Sequence, residues 1–201
     1  MTAADQTPDA QSPADRPAGD QVQSDRSAPG QTAGGGATRD RSALRVLTVS
    51  SEEQLQAAFS IRFEVFVEEQ GVSADAELDA ADRAPTTQHV IVVDTSVEPP
   101  EPVGTGRLLT DAEHLDALHI GRLAVRAPWR SSGVGAVLMR ALETLAAERT
   151  PRGSQVRVEL SAQEQAIGFY QRQGYVVDDS DRYLDENIWH RDAVKTVDGT
   201  A

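Results

Sequence analysis

The sequence contains no cysteine, a single lysine and few aromatic residues, and it has no long hydrophobic run. Without cysteine, disulfide bonds, zinc sites built on thiolates and a cysteine nucleophile are all excluded. No run approaches the roughly 18 apolar residues of a membrane helix, and the N-terminal residues lack the basic and apolar segments of a secretory signal. We therefore expect a soluble cytoplasmic protein without a membrane partner.

Positive charge is also scarce. The chain has 19 Lys and Arg residues against 32 Asp and Glu residues, which gives a formal net charge of -13. A protein of this charge repels the phosphate backbone, whose attraction supplies most of the non-specific affinity for nucleic acids. We therefore expect no nucleic acid as a partner. With 201 residues, the chain has the length of one domain of ordinary size.

Residues 1–42 have almost no large apolar side chains, Met1 and Val22 being the exceptions. A segment of this composition cannot bury enough surface to offset its conformational entropy. We predict a disordered tail over 1–42, a folded domain over 43–195 and a flexible C-terminus over 196–201. The tail holds six aspartates and four arginines, a net charge of -2, so -11 of the total -13 belongs to the rest.

The hydrophobic pattern changes at Leu44. Alternation over 44–49 predicts a strand, and apolar residues at helical spacing from Leu55 to Val67 predict a helix capped by Ser50 or Ser51. An antiparallel meander of three strands should follow, over 89–94, 103–110 and 118–125. The pattern then predicts helices over 134–149 and 164–173 and strands over 156–160, from Tyr175 onward and over 188–194.

This order of elements, β-α-β-β-β-α-β-α-β-β, combines antiparallel and parallel strand connections in one sheet. It predicts an α/β (α+β) fold with a mixed central sheet of about six to seven strands, flanked by about four helices.

Two glycines interrupt the start of an amphipathic helix in RSSGVGAVLM, residues 130–139. A Walker A loop requires a lysine after the glycines, and a dinucleotide fingerprint requires a third glycine where Leu138 stands, so neither motif fits. Two interpretations stay open. The glycines serve a tight turn, or they let a phosphate approach unpaired N–H groups at a helix start. A hydrogen bond to a charged group contributes about 1.5 to 3 kcal/mol, so several could hold a pyrophosphate.

The stretch also matches the acyl-CoA motif [RQ]-x-x-G-x-[GA] at Arg130, Gly133 and Gly135. Further matches follow in order along the chain: IRFEVFVEEQGV at 61–72, ELD at 77–79, GTGR at 104–107, LSAQ at 160–163 and FY at 169–170. Together these motifs resemble the Gcn5-related N-acetyltransferase (GNAT) family, and within it the bacterial YjcF-like or ElaA-like subgroup that carries VFVEEQGV. The resemblance covers about residues 44–194.

The resemblance implies an acetyl-CoA-dependent N-acetyltransferase with the GNAT fold, using acetyl-CoA as acyl donor, an amine as acceptor and no metal. In the family, the pyrophosphate of CoA lies on backbone amides of the glycine motif, and the pantetheine arm pairs with the preceding strand. An amide side chain at Gln163, where many relatives have asparagine, binds the cofactor or caps a helix. The implied cofactor-binding residues are Leu123, Ala124, Val125, Arg130, Ser131, Ser132, Gly133, Val134, Gly135, Ala136 and Gln163.

Tyr170 matches the family tyrosine that protonates the leaving CoA thiolate. A phenol with a pKa of about 10 stays protonated at neutral pH and can donate to a thiolate whose thiol has a pKa of about 8.5. Packing against Phe169 is the alternative role. In the implied mechanism the amine attacks the thioester directly, and a backbone N–H near residues 123–125 polarises the carbonyl. The candidates for the base are Glu69, Glu77, Asp79, His89, His119 and Glu159.

Seven acidic residues and no basic residue lie from Glu64 to Asp82. They form either a solvated face or the wall of an acceptor pocket that attracts a cationic amine. Arg107 and Arg122 face either solvent or these carboxylates, and the resemblance favours the carboxylates. Our candidate acceptor-binding residues are Arg62, Glu69, Gln70, Glu77 and Arg122. The first three form either a buried polar network or a helix cap.

Two other functions stay open. The first is an acyl-homoserine-lactone synthase-like acyltransferase, whose fold is related, although the complete R-x-x-G-x-G stretch and Phe169-Tyr170 argue against it. The second is a non-catalytic acyl-CoA-binding sensor, which would show no turnover with any acceptor. The sequence specifies neither the acceptor nor the acyl chain, and we leave a homodimer open.

Overall fold

The computed structural model describes residues 41–110, 117–178 and 182–201. Of the predicted tail over 1–42, only the last two residues belong to the described ranges. Its disorder therefore stays a prediction. Arg41 and Ser42 belong to a short 3-10 turn, Arg41–Ala43, directly before the first strand.

Strands and helices follow one another in nearly the predicted order. The strands are β1 (Leu44–Thr48), β2 (Gln88–Asp94), β3 (Glu101–Thr110), β4 (Ala117–Val125), β5 (Gln155–Gln163), β6 (Val176–Val177), β7 (Tyr183–Asp185) and β8 (Ile188–Asp198). The α-helices are α1 (Glu52–Arg62), α2 (Ala74–Glu77), α3 (Val134–Arg149) and α4 (Ile167–Arg172). Among these helices, none is both long and apolar enough to cross a membrane.

The strands form one mixed sheet in the order β1-β2-β3-β4-β5-β8-β6, and β7 also pairs with β8. The meander of β2, β3 and β4 is antiparallel as predicted, and β4 and β5 are parallel. The predicted mixed fold is therefore confirmed. The sheet has eight strands rather than six to seven because Tyr183–Asp185 adds a short strand that the sequence pattern did not indicate.

Helix α3 packs against the middle of this sheet. Its residues at helical spacing are fully buried, among them Val134, Leu138 and Leu142. A Cβ atom at Gly104 on β3 would lie 2.8 Å from Cγ1 of Val134, so glycine allows the close approach of helix and strand. Truncating a buried leucine such as Leu142 to alanine typically costs about 2–5 kcal/mol, so the packing of α3 on the sheet stabilises the domain.

The predicted helix around Leu55–Val67 consists of two different segments. α1 begins after Ser51, whose side chain accepts a hydrogen bond from the N–H of Gln54, and it continues as a π-helical segment, Phe63–Glu69. Such segments are rare and frequently lie at functional sites. A change in helical winding leaves no signature in hydrophobic spacing, which explains why the sequence did not indicate it.

The end of the chain also differs from the expectation. β8 extends to Asp198, and the N–H groups of Gly199, Thr200 and Ala201 donate to carbonyls of Ser154, Ala147 and Thr150. The segment over 196–201, expected to be flexible, is therefore paired with the body of the domain. Its polar side chains misled the prediction because its contacts use the backbone.

β4 and β5 pair only at their beginnings, where residues 117–119 face residues 157–159. Beyond this point β4 pairs with β3 alone and β5 with β8 alone, so the two strands separate. β4 also contains a bulge, because Thr105 pairs with Ala124 whereas Arg107 pairs with Gly121. Arg122 lies in this bulge with a left-handed backbone, φ 53°. The opening between the strands therefore exposes irregular backbone.

Candidate active site

A cavity of about 360 Å³ occupies the opening between β4 and β5. β4 contributes residues 119–123, and β5 contributes Ser161 and Gln163. Tyr170 of α4 lines it as well, and the π-helical segment and α2 contribute Phe66 and Glu77 among others. Of the residues predicted to act on the substrate or cofactor, the cavity is lined by Gln70, Glu77, Arg122, Leu123, Gln163 and Tyr170.

Residues 130–136, here called the glycine turn, connect β4 to α3. Gly133 has φ 94° and Ser131 has φ 62°, so two left-handed residues reverse the chain before the helix. Ser132 donates its hydroxyl hydrogen bond to the carbonyl of Trp129. The first intrahelical bond runs from the N–H of Val137 to the carbonyl of Gly133, so the N–H groups before it have no helical acceptor. These donors, on Val134, Gly135 and Ala136, are available to an anion.

Two arginines adjoin the glycine turn in different ways. Arg130 donates through Nε to the carbonyl of Val125 at 3.0 Å and through Nη2 to Glu69. Glu69 is thereby placed at the glycine turn rather than on the cavity wall, and its role as an acceptor-binding residue stays a prediction. A Cβ at Gly133 would lie 2.9 Å from Cζ of Arg41, so the Arg41 guanidinium packs on that glycine. Sequence reasoning missed Arg41 because the composition of its neighbours assigned it to the tail.

In β4, the strand before the glycine turn, the side chains of residues 123–125 have different surroundings. Leu123 lines the cavity, whereas Ala124 is buried and Val125 pairs with Gly104 of β3. The side chains of Ala124 and Val125 therefore contribute to packing, and any contact of these residues with a cofactor would use the backbone. The bulge beside them removes regular pairing with β3 at residues 122–123.

Tyr170 is 9% exposed, and its ring meets Phe169 edge-on with ring centroids 5.1 Å apart. Burial raises the pKa of Tyr170 to about 12. Both roles predicted for this residue are therefore compatible, since it packs on Phe169 and also presents a protonated phenol to a cavity.

Two glutamines connect β5 with the segment after the π-helix across the cavity. The Nε2 of Gln163, at the end of β5, donates to Oε1 of Gln70 at 2.9 Å. Oε1 of Gln163 accepts from Gln165 at 3.0 Å. The amide of Gln163 therefore joins the segment after the π-helix to β5.

Six charged side chains form a cluster behind and along one cavity wall. Arg62 is fully buried and contacts Glu77 and both carboxylate oxygens of Asp82. Arg107 contacts Asp79 at 2.8 and 3.0 Å and Asp82 at 2.6 Å. Arg122 donates to the carbonyls of Ala76 and Glu77 and lies 3.5 Å from the carboxylates of Glu77 and Asp79. The ion-pair cluster thus consists of Arg62, Glu77, Asp79, Asp82, Arg107 and Arg122.

This cluster decides between the interpretations of the acidic segment. Arg107 and Arg122 face its carboxylates, and Arg62 belongs to a buried polar network. Glu77 is 1% exposed and paired with Arg62, so it cannot act as an uncompensated negative charge for a cationic amine. Glu69 and Glu77 are thus both paired with arginines, and their roles as acceptor-binding residues stay predictions. Glu64, by contrast, pairs with Arg126 nearer the surface.

Ion pairing also sets the protonation of the cluster. Burial alone would raise the pKa of Asp82, but hydrogen bonds from Arg62 and from the N–H of Asp79 outweigh it and hold that pKa well below its ordinary value. Asp79 behaves similarly, since the hydrogen bonds from Arg107 overcome the effect of burial and lower its pKa. Asp79 and Asp82 are therefore charged at neutral pH.

Two of the six candidate bases line the cavity. His119 and Glu77 line it, whereas Glu69, Asp79, His89 and Glu159 do not. Nε2 of His89 contacts the carbonyl of Asp82, and burial lowers the pKa of His89. Glu159 pairs with Arg157 instead. Of the six candidates, Glu77 and His119 therefore stay at the cavity, and Glu77 is paired with Arg62.

The hairpin of β7 and β8 contributes residues that sequence reasoning did not assign. Asp185, Glu186 and His190 line the cavity. Glu186 and Asn187 have positive φ values of 46° and 63°, which makes a tight turn that brings Glu186 to the rim. A Glu-Asn pair lacks the glycine that usually marks such turns, so no local signal was present.

Comparisons with known proteins agree with this geometry. A family model described as an acetyltransferase (GNAT) domain matches residues 63–196. The uncharacterized N-acetyltransferase YjcF of Bacillus subtilis is 36% identical over 152 residues, which are 76% of this chain and 99% of that protein.

Two solved structures resemble the chain over similar lengths. Escherichia coli ElaA has 25% sequence identity and a TM-score of 0.63, with 75% of this chain and 98% of that chain covered. An acyl-CoA N-acyltransferase from Pseudomonas aeruginosa has 28% identity and a TM-score of 0.62, with 76% and 99% covered. The fold and the sequence similarity thus extend over nearly the whole length of these proteins.

Proposed function

This chain belongs to the Gcn5-related N-acetyltransferase family and is an acyltransferase, and we propose that it transfers an acetyl group from acetyl-CoA to the amine of a small molecule or peptide. The observation that carries this proposal is the cavity between β4 and β5. The bulge of β4, Tyr170 and His119 line that one cavity, and the glycine turn follows the same strand.

In this proposal the glycine turn binds the pyrophosphate through the N–H groups of Val134, Gly135 and Ala136. Residues 123–125 pair with the pantetheine arm through their backbone. Arg130 already contacts Val125 and Glu69, so it holds the turn against β4. Arg41 packs on Gly133 and adds a positive charge beside the phosphates.

The chemistry follows from the cavity residues. The neutral acceptor amine attacks the thioester carbonyl, and a backbone N–H near the bulge stabilises the oxyanion. His119 accepts the proton that the nitrogen loses, directly or through one water. The C–S bond then breaks, and Tyr170 donates its proton to the CoA thiolate. The products are the N-acetylated acceptor and CoA, and solvent restores the tyrosine proton.

A thiol-release assay tests this function, with acetyl-CoA and longer acyl-CoAs against amino acids, polyamines, aminoglycosides and peptides. Tyr170→Phe should lower kcat by about 10²- to 10⁴-fold, the usual contribution of a general acid, while acetyl-CoA still binds. Tyr175→Phe is the matched control, because Tyr175 is also a buried tyrosine but does not line the cavity.

The pH profile adds a second measurement. Tyr170 must be protonated to act, and its pKa of about 12 means that this form is lost only as the pH approaches that value. Wild-type turnover should therefore show no decline from tyrosine ionisation near pH 10. Binding of acyl-CoA without turnover of any acceptor would instead assign the protein as a sensor.

A further inference from the structure

Arg107 has an unused hydrogen-bond donor at the cavity. Its side chain is 6% exposed, its Nη atoms contact Asp79 and Asp82, and its buried Nε has no partner among the residues that the structure describes. Leaving a buried donor unpaired costs about 1–3 kcal/mol, so such an atom calls for an explanation. Of the buried polar atoms without a partner in the described chain, only this one belongs to a residue that lines the cavity.

The unused donors of Arg107 have a specific geometry. A guanidinium carries five N–H groups in a planar fork, and the contacts to Asp79 and Asp82 use the end formed by the two Nη atoms. The remaining Nε–H and the second Nη2–H share one edge. Such an edge fits the two oxygens of a carboxylate.

Arg122 supplies further donors on the same wall. It is 28% exposed, and it uses Nε and Nη2 on the carbonyls of Glu77 and Ala76, which leaves Nη1 without a hydrogen bond to any described residue. Gly121, the residue before it, pairs with Arg107 across β3 and β4. The bulge holds Arg122 in a left-handed conformation that is unfavourable for arginine. Two arginines with unused donors therefore adjoin one region of the cavity.

The charges of the cavity select among acceptors. The ion-pair cluster contains three arginines and three carboxylates, so it is balanced. Asp185 and Glu186 also line the cavity, and neither forms an ion pair within the described ranges. A simple anion would add unbalanced charge, and a polyamine would leave the arginine donors unused. A molecule with both an ammonium and a carboxylate group satisfies both sets of groups.

We infer that the acceptor is a small amino acid, or a molecule like it, whose carboxylate binds Arg107 and Arg122. This inference rests on the proposed function and names its substrate class. Gly121, beside Arg107, and Leu123, beside the proposed thioester position, are two residues apart, which is at most about 7 Å because the bulge at Arg122 shortens the strand. A short amino acid spans that distance, so its amine reaches the thioester while its carboxylate stays on the arginines.

The test compares amino acids with their amides as acceptors: glycine with glycinamide, alanine with alaninamide and β-alanine with β-alaninamide. With kcat/KM expressed per unprotonated amine, the acids should be favoured at least about tenfold, which corresponds to about one hydrogen bond to a charged group. Arg122→Gln should reduce this ratio toward one. Arg126→Gln is the matched control, because Arg126 pairs with Glu64 outside the cavity and should leave the ratio unchanged.

Equal or faster turnover of the amides by the wild-type protein would overturn the inference, whether or not the Arg122 variant folds. Equilibrium binding of N-acetylglycine and N-acetylglycinamide gives a readout without catalysis. At least tenfold tighter binding of N-acetylglycine supports the carboxylate site, and equal affinities overturn it. Absence of thiol release with every acceptor would contradict the proposed function, while this binding comparison would still decide the carboxylate site.

Discussion

The two sides of the proposed active site, a cofactor side at the glycine turn and an acceptor side at the ion-pair cluster, are built from different chemical groups. On the cofactor side, the glycine turn presents backbone N–H groups, and its residues are neighbours in the sequence. On the acceptor side, the ion-pair cluster joins side chains of α1, α2, the turn over 79–82 and strands β3 and β4, which are up to 60 residues apart, as Arg62 and Arg122 are. One side thus depends on local backbone conformation, and the other depends on the assembled fold.

This difference has energetic consequences. Backbone donors at a helix start exist as soon as α3 forms, so the cofactor side needs little more than correct turn geometry. The acceptor side has to bury charges, which is favourable only when every partner is in place. Substitutions on the cofactor side should therefore reduce binding in a folded protein, whereas substitutions within the cluster should reduce stability.

Replacement of both Gly133 and Gly135 by valine should have the largest effect. Valine at Gly133 meets a φ of 94° and the Arg41 guanidinium, and a Cβ at Gly135 lies 3.1 Å from the Phe169 ring. Loss of two or more charged hydrogen bonds should weaken CoA binding on the order of a thousandfold or more. Titration calorimetry with CoA measures this loss, and circular dichroism checks the fold.

Gly153→Val is the control for backbone strain, since Gly153 has φ 83° and open space around its Cβ position. It should retain the affinity for CoA. Retained affinity in the double variant would mean that the glycine turn is only a turn.

On the acceptor side, Arg62→Met should lower the free energy of unfolding by about 3–5 kcal/mol, because it leaves Glu77 and Asp82 buried without their partner. Arg83→Met is the matched control, since it breaks an exposed pair with Glu52 and should cost far less stability than Arg62→Met. Urea unfolding measures both. Equal, small losses would show that the cluster is well hydrated and contributes little to stability.

The same contrast explains what the sequence could predict. The glycine turn, Tyr170 and the order of strands follow from spacing within short segments, and the fold and family were predicted correctly from them. The partner of Glu69 was not predictable, because Arg130 lies 61 residues away. Glu77 and Glu69 look alike in the sequence, yet one is buried against Arg62 and the other is partly exposed beside the glycine turn.

Features that depend on backbone irregularity were also beyond prediction. The π-helical segment and the bulge at Arg122 keep the hydrophobic pattern of ordinary helix and strand, so periodicity does not reveal them. Glu186 reaches the cavity through a turn without glycine, and Arg41 reaches Gly133 of the glycine turn from a segment of tail-like composition. Residue type alone therefore gave six candidate bases, whereas position in the cavity leaves Glu77 and His119.

His119→Gln should lower kcat/KM about a hundredfold at neutral pH, the lower end of the usual contribution of a general base, while CoA binds normally. The loss should shrink as the pH rises, because hydroxide then increasingly accepts the proton that the attacking nitrogen loses. His190→Gln is the comparison, since His190 also lines the cavity but its Nδ1 contacts the carbonyl of Ile188. A larger, pH-dependent loss in His190→Gln would assign the base to that residue instead.

Arg41→Ala should have the smallest effect, because an exposed charge pair contributes only about 0.2–1 kcal/mol. CoA should bind about two- to fivefold more weakly, and the difference should vanish at high salt as screening removes the attraction. Arg45→Ala is the control, since Arg45 is exposed in the same segment and contacts only carbonyls of Ser42 and Leu44. A loss of a hundredfold would mean that a side chain, rather than the backbone, dominates the cofactor side, and the contrast between the two sides of the proposed active site would fail.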